Sequence, residues 1–350
     1  MYMQYSNVAG LHLSRMGIGC WAFGGGEYWG EQNQKDVDAV VRTAIEQGIN
    51  VFDTARMYND GASELSLGKA LRGMRDKAFI ISKFSPARAY KKTLKEECDT
   101  SLKSLGTDYL DLYMLHWPIN PQSIRHFSGD PELIARPPAV EEAFEALLEL
   151  KKEGKIHYIG VSNFGRRQLE EAVSICPEII IDEMTYNVVS RAIEGEIIPY
   201  CKERKIGIVS SMTLQQGILA GVYLKPEDVP PHQAHSRHFS HERGQSLSRH
   251  HEKGAEPEVF RTLSLLGELS RDLNISMAQL SVAWVLSNLD IASALIGSRN
   301  IKELEDNIRA MELKLPAEVI KKINETSREV LDKLGYNPDY YENRGESRIF

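Results

Sequence analysis

The chain is poor in several things, and each shortage removes a class of protein. No run approaches the roughly 20 apolar residues that cross a bilayer as a helix, so no membrane span is read here. The opening MYMQYSNVAG has neither a basic start nor an apolar stretch, so no secretory signal is read and a cytoplasmic location is expected. Charges of one sign do not gather in blocks. With acidic and basic residues interleaved and a net charge of -7, nucleic acid and anionic membrane are not expected partners. Cysteine is scarce: Cys20, Cys98, Cys176 and Cys201 form no C-x-x-C pair and no zinc spacing, which fits free thiols in a reducing compartment.

What is present is a globular composition, 42% apolar and 26% charged, in a chain of 350 residues that is long enough for one large barrel domain. After an alternation at Leu11 to Leu13, which reads as a hairpin, and an apolar run at Met16 to Cys20, short apolar runs alternate with helix-period segments. Strands are expected near 49–53, 78–82, 109–115, 156–161, 178–182, 206–210 and 291–296. Helices are expected at 35–47, 64–72, 91–104, 139–152, 166–175, 192–204, 257–272, 276–288, 300–311 and 316–330. Two insertions interrupt the alternation, Trp117 to Pro138 and a longer one after the seventh strand.

Counted from Met16, eight strands are each followed by helix. Such units are parallel and close into a (β/α)₈ TIM barrel, here a single domain over 1–350 with an N-terminal hairpin, two long mouth loops and a C-terminal tail. An open doubly wound sheet is the competing α/β architecture, and Gly17 to Ala22 even fits the dinucleotide pattern G-x-G-x-x-A. That fold needs a helix to begin directly after the pattern, where Gly24-Gly25-Gly26, Tyr28 and Trp29 stand instead.

The ionisable residues are placed with equal regularity. Asp53 ends the second strand, Lys83 the third, and His116 follows the fourth, at spacings of about one βα unit. An acid, a base and an imidazole therefore reach one barrel mouth from neighbouring strands, on the face where such barrels carry their active sites. Tyr58, five residues past Asp53, adds a phenol beside them.

Those residues lie in motifs that resemble the aldo-keto reductase superfamily: DTARMY with GASELSLGKAL, IISKF, DLYMLHWP, GVSNF, TYN, GILAG and ALIGSRNIKELEDNIRA, in order along nearly the whole chain. The resemblance implies reduction of an aldehyde or ketone, with sugar-related carbonyls included, and the reverse oxidation. Tyr58 would be the general acid as hydride arrives from a nicotinamide. Lys83 would lower the phenol's pKa, Asp53 would hold Lys83, and His116 would align the substrate oxygen.

The same resemblance implies a cofactor, NADP in preference to NAD, held by residues at the strand ends. Gly19, Cys20 and Trp21 follow the first strand. Ser162 and Asn163 match the pair that binds the carboxamide, and Glu183 stands where many members have glutamine. Ser210, Ser211, Met212, Leu214 and Gly217 follow the seventh strand. Gly297, Ser298 and Arg299 sit where a 2′-phosphate binds at a helix N-terminus, with Glu303 and Asn307 beside adenine.

The second insertion holds His232, His235, His238 and His241 at intervals of three. No cysteine or carboxylate pattern accompanies them, so no metal is assigned. The resemblance implies a lid over the cofactor pyrophosphate instead, which Arg237, Arg243 and Arg249 suit. In the other insertion and the tail, Arg125, His126, Tyr340, Tyr341 and Arg348 suit a polar oxygenated substrate. Two alternatives share the fold: a cofactor-binding regulatory or sensor subunit, which the lack of an accessory N-terminal segment disfavours, and a Schiff-base lyase with Lys83 as nucleophile.

Overall fold

In the computed structural model, which describes residues 3–350, the chain opens with a hairpin of β1 (Tyr5–Val8) and β2 (Leu11–Ser14). Residues 1 and 2 of the expected 1–350 unit lie outside the described residues. Ala9 and Gly10 both have positive φ, 51° and 85°, the two-residue turn whose twist matches its strands. Val8 and Leu13 pack with Val51, Phe79, Ile181, Val209 and Leu295, so the hairpin stoppers the lower end of the barrel.

The barrel is the expected one. Its strands are β3 (Met16–Gly19), β4 (Val51–Asp53), β5 (Phe79–Phe84), β6 (Leu110–Leu115), β7 (Ile156–Ser162), β8 (Ile179–Thr185), β9 (Gly207–Ser211) and β10 (Ile291–Ile296). All neighbours are parallel, and β10 closes on β3. Alternation sorts the side chains. Val51, Ile81, Leu112, Met114, Ile181, Val209 and Leu295 fill the interior, while Ile18, Phe52, Ile80, Tyr113 and Ile208 face the helices in a second core. Because the period is 2, the residue two places beyond each upper interior position also points inward. Those residues are Asp53, Lys83, His116 and Glu183.

Around the barrel run α1 (Gln34–Glu46), α2 (Ala62–Ala70), α3 (Lys91–Leu105), α4 (Pro121–Phe127), α5 (Pro131–Ala135), α6 (Val140–Lys152), α7 (Arg166–Ile175), α8 (Ile197–Arg204), α9 (His241–Gly244), α10 (Glu256–Leu273), α11 (Met277–Ser287), α12 (Ile301–Ala310) and α13 (Ala317–Leu334). Two expectations need correction. The first insertion contains α4 and α5, both opened by a capping residue followed by proline: Asn120 accepts from the Ser123 N–H and Asp130 from the Glu132 N–H. Their composition hides them, since neither has an apolar period, yet the cap-proline pair is a start signal. The helix expected at 192–204 breaks at Gly195 into a short 3₁₀ turn and α8. A Cβ there would lie 2.6 Å from the Tyr336 ring, so the tail packs where a longer side chain would stand.

Helix α2 packs closely on α3 through Gly68, whose added Cβ would lie 2.4 Å from the Leu105 carbonyl oxygen. Alanine raises helix propensity by about 1 kcal/mol, but overpacking against backbone costs about 1–3 kcal/mol. Gly68→Ala should therefore lower the urea midpoint; a raised midpoint would show that the two helices separate freely.

Candidate active site

The upper layer of the barrel interior is polar, and its centre is Lys83. The side chain is fully buried, with its ammonium paired to Asp53 Oδ1, 3.2 Å from the Thr54 carbonyl and 3.2 Å from the Tyr58 hydroxyl. Register explains the meeting, because β4 lies beside β5 with Asp53 opposite Ile81 and β5 lies beside β6 with Lys83 opposite Met114. The ladder runs on past the strand ends: the Arg56 N–H donates to the Lys83 carbonyl and the His116 N–H to the Phe84 carbonyl. Strand ends thus set the positions of all three groups to within a hydrogen bond.

Tyr58 is presented by a turn that few sequences tolerate. Asn59, Asp60 and Gly61 all have positive φ, 50°, 53° and 88°, a conformation that costs a non-glycine residue about 1–2 kcal/mol. Asn59 offsets this by donating from Nδ2 to the Trp21 and Phe23 carbonyls at 2.7 and 3.1 Å. The Tyr58 ring then lies edge-on to His116, with centroids 5.6 Å apart. The Trp21 ring is 6.0 Å away on another side and stacks on Tyr28 at 5.1 Å.

Glu183, expected at the cofactor, also comes in from across the barrel to Lys83, a contact the sequence did not indicate. Glu183 Oε2 lies 3.3 Å from the Lys83 ammonium, a charge contact without a hydrogen bond, and is otherwise unpartnered. Its strand, β8, is three places round the ring from β5, so no spacing of neighbouring units reveals the contact. The available signal was alternation, since Ile181 and Glu183 share the inward face.

These contacts set the protonation states. Burial favours the neutral amine of Lys83, yet Asp53, Glu183 and the phenol outweigh it and hold the ammonium. Burial and the Asp53 charge push Glu183 up to about 8, while burial raises Asp53 against the pull of Lys83. The two carboxyls thus retain a proton between them near neutrality. His116 is lowered by burial, then by Lys83 and His126, and stays a neutral imidazole. Burial also raises Tyr58 above its ordinary 10.0, and Asp53 and Glu183 add to this against the pull of Lys83. Lys83 therefore acts in the expected direction, but in the free protein the opposing effects win.

The residues expected to hold a cofactor ring the same barrel end. Asn163 adopts φ 62° and donates from Nδ2 to the His116 carbonyl at 3.1 Å, tying the end of β7 to the end of β6. Ser162 Oγ donates to the Glu183 carbonyl at 3.2 Å. Met212 and Gln216 also have positive φ, 56° and 54°, beside Leu214 and Gly217. The side chains of Cys20 and Ser210 are buried, the thiol against the Ile18 carbonyl and the hydroxyl against Thr213, so Gly19, Cys20 and Ser210 offer mainly backbone. Ser211 ends β9 and Met212 follows it, both half-buried, as is Trp21 after β3. Asn307 is turned inward to Ser298 Oγ at 3.1 Å and the Gly297 carbonyl at 3.4 Å.

Arg299 and Glu303 do reach open space. They line a cavity of about 1000 Å³ with Gly24 to Gly26, Glu31, Asp36 and Asn300. Its glycine wall is needed, because a Cβ on Gly25 would lie 2.7 Å from the Gly30 carbonyl. The cavity, the start of α12 and the Arg299 charge fit one end of a dinucleotide. Arg299 is braced by the Gln32 side chain at 2.9 Å and the Glu31 carbonyl at 2.6 Å, and its own N–H donates to Glu303 at 2.8 Å.

The second insertion does not hold its arginines free. Arg237 is fully buried, donating to Glu252 at 3.1 Å and the Leu334 carbonyl at 2.8 Å. Arg243 grips Glu256 with two bonds of 2.7 and 2.6 Å, and Arg249 donates to Glu342 at 2.6 Å. These ion pairs fasten the segment to α10 and the tail, which corrects the expectation that they face an anion. The histidines go separate ways: His232 packs on Tyr28, His235 on Tyr341, His238 on Tyr340 and His241 on His251. Among the described residues no group of three or more His, Cys, Asp or Glu is arranged to hold a metal ion.

The tail is built in as firmly. Arg348 is buried over the Trp117 ring and makes two bonds to Asp339 of 2.8 and 2.7 Å, and the Tyr340 hydroxyl accepts from the Ala192 N–H. Arg348 and Tyr340 therefore support the mouth and do not line it. Arg125 is exposed beside Glu346, and His126 lies near Arg348 and Arg249.

A model described as the aldo/keto reductase family matches residues 15–328. The chain is 32% identical over 319 residues to aldo-keto reductase YhdN of Bacillus subtilis (strain 168), covering 87% of each chain. It is 29% identical to the NADH-specific methylglyoxal reductase of Escherichia coli (strain K12), covering 87% of this chain and 92% of the relative. A crystal structure of an aldo/keto reductase from Klebsiella pneumoniae in complex with NADP and acetate superposes with a TM-score of 0.68 at 25% identity, covering 98% of this chain and 99% of that one.

Lys83 is the single cation between two buried carboxyls. Lys83→Met removes it and should cost about 3–5 kcal/mol, the range for breaking a buried ion pair. The folded-state pKa values of Asp53 and Glu183 then rise further above their ordinary 3.8 and 4.5. Folded protein thus binds more protons than unfolded, and stability falls as pH rises above those values. Urea unfolding should show the deficit growing from mildly acidic to mildly alkaline pH; a deficit independent of pH would mean the carboxyls do not depend on Lys83.

Proposed function

The chain belongs to the aldo/keto reductase family, and from that premise we propose that it is a reductase that uses NADP(H) to interconvert an aldehyde or ketone and its alcohol, with Tyr58 as general acid. The observation that carries the reading is the buried Lys83 ammonium 3.2 Å from the Tyr58 hydroxyl, with a neutral His116 at the edge of the same ring. When bound, the nicotinamide supplies the hydride. Tyr58 gives its proton to the carbonyl oxygen as that oxygen gains charge, and the phenolate left behind lies beside Lys83. Asp53 keeps Lys83 charged and aimed. His116, unable to take a second proton at neutral pH, orients the substrate oxygen as a hydrogen-bond partner.

Ser162 and Asn163 would hold the carboxamide, and Arg299 with the N-terminal end of α12 the adenosine end. A Schiff base at Lys83 needs a free amine lone pair, which the two carboxyls deny it by holding the ammonium. For substrate we favour small polar carbonyls, sugar-derived ones included, because the partly exposed Trp21 ring stands by the phenol with Tyr28 stacked on it. The E. coli relative is a methylglyoxal reductase, which makes that aldehyde the first to assay. A single domain over 1–350 and a cytoplasmic setting belong to the same reading, the latter supported by four free, buried cysteines.

A second reading, NAD(H), is favoured by the cavity's charge. Glu31, Asp36 and Glu303 share it with Arg299, and Glu303 already occupies the Arg299 N–H that a phosphate would take. Fluorescence titration separates the two: if the 2′-phosphate is read by Arg299, Arg299→Ala should weaken NADPH about tenfold or more and NADH little. Tighter binding of NADH than NADPH to the unaltered protein would instead establish the second reading. For the chemistry, Tyr58→Phe should lower kcat by about a hundredfold or more with cofactor binding kept; turnover within a few-fold of the parent would remove Tyr58 as the acid.

A further inference from the structure

Glu183 is the member of the buried cluster that the reaction above leaves unused. It is 3% exposed, enters from the strand opposite to those of Asp53 and Lys83, and reaches within 3.3 Å of the Lys83 ammonium. We propose that Glu183 is a positioning residue for proton donation: its carboxyl holds a proton that keeps the Lys83 charge available to Tyr58, and loss of that proton makes Tyr58 a weaker acid. The inference rests on Tyr58 as the proton donor.

The argument begins with where the lysine's donors go. One is paired with Asp53, one points to the Thr54 carbonyl and one to the Tyr58 hydroxyl. None is left for Glu183, and its Oε2 accordingly lies near the ammonium without a hydrogen bond. Asp53 is paired to the same ammonium, so the two carboxyls share one cation. A protonated Glu183 adds no charge beside Asp53; an ionised one sets a second carboxylate against a single ammonium.

Charge counting gives the consequence. With Glu183 neutral, Lys83 and Asp53 cancel, and ionising Tyr58 brings the cluster to one negative charge. With Glu183 ionised, the same step brings the buried cluster to two net negative charges, and the phenolate is disfavoured. A glutamine at this position would have the shape without the charge.

The groups around Glu183 agree on the direction. Asp53 from β4, Tyr58 from the turn beyond it and Asp182 from β8 itself bear negative charge or gain it on ionising, as does the Cys20 thiol beyond Asp53. His116 beside Lys83 is neutral, so Lys83 is the one positive neighbour. Burial and Asp53 prevail over Lys83, which places the release of the Glu183 proton at about 8. The proton leaves to solvent, and no covalent bond changes.

The decisive measurement needs no turnover. A fluorinated tyrosine placed at position 58 brings the phenol's pKa down into range, and its fluorine resonance reports ionisation in the full-length protein. Glu183→Gln should lower that pKa by about one unit or more relative to the unaltered carboxyl. An unchanged value overturns the proposal. Should the variant fold poorly, carbon-13 labelling of glutamate in the parent protein decides the same question: a side-chain carboxyl titrating near 8 is expected for Glu183, and its ionisation in the ordinary carboxylate range overturns the proposal.

In kinetics, carbonyl reduction should decline as pH rises through about 8 in the parent, and Glu183→Gln should remove that limb. A limb that survives the substitution counts against Glu183. No reduction of any carbonyl, together with the expected shift in the fluorotyrosine titration, would refute the reductase reading and leave the electrostatic link between Glu183 and Tyr58 established.

Discussion

A buried ammonium with two carboxyls is the constraint from which the upper half of the barrel follows. Removing such an ion from water costs several kcal/mol unless partners are in place when the site closes. Asp53, Glu183, Thr54 and Tyr58 are those partners, and they arrive on β4, on β8 and in the turn after β4. A slip of one residue in either strand would turn its carboxyl out of the interior and leave Lys83 stranded. The apolar layers below, built from Val51, Ile81, Met114 and Ile181, therefore fix the register that the polar layer needs. Function and packing use the same alternation.

How much of this could be read from the sequence depends on how far apart in the ring two residues sit. Asp53, Lys83 and His116 lie on consecutive strands, so equal spacing along the chain becomes adjacency in space. Glu183 is separated from Lys83 by β6 and β7, and only closure of the barrel brings it in. The strands themselves were legible because apolar runs of five or six residues alternate with amphipathic helices. Helices α4 and α5 were not, because each is set by a cap and a proline and lacks an apolar stripe. The break at Gly195 is tertiary in origin and depends on a ring from the tail.

The lid arginines show the complementary difficulty. A count of basic residues near a mouth says nothing about which acids lie beside them. Arg237, Arg243, Arg249 and Arg348 find Glu252, Glu256, Glu342 and Asp339, in the second insertion, at the start of α10 and in the tail. These pairs join two long segments that have little regular structure of their own. The mouth is consequently braced by charge, and the surfaces left to meet a ligand are rings: Trp21, Tyr28 and His232.

The two ends of the site also differ in how strongly a charge acts. Around Arg299 the cavity is open, and water and salt weaken the influence of Glu31, Asp36 and Glu303 on anything bound there. Around Lys83 the side chains are buried, and one unit of charge on Glu183 is felt by the phenol with far less screening. A carboxyl exchanged for an amide is therefore a modest change in affinity at Glu303 and a change in the acidity of Tyr58 at Glu183. The same substitution has different consequences because the first site reads charge through solvent and the second through a buried ammonium, 3.3 Å from Oε2 and 3.2 Å from the phenolic oxygen.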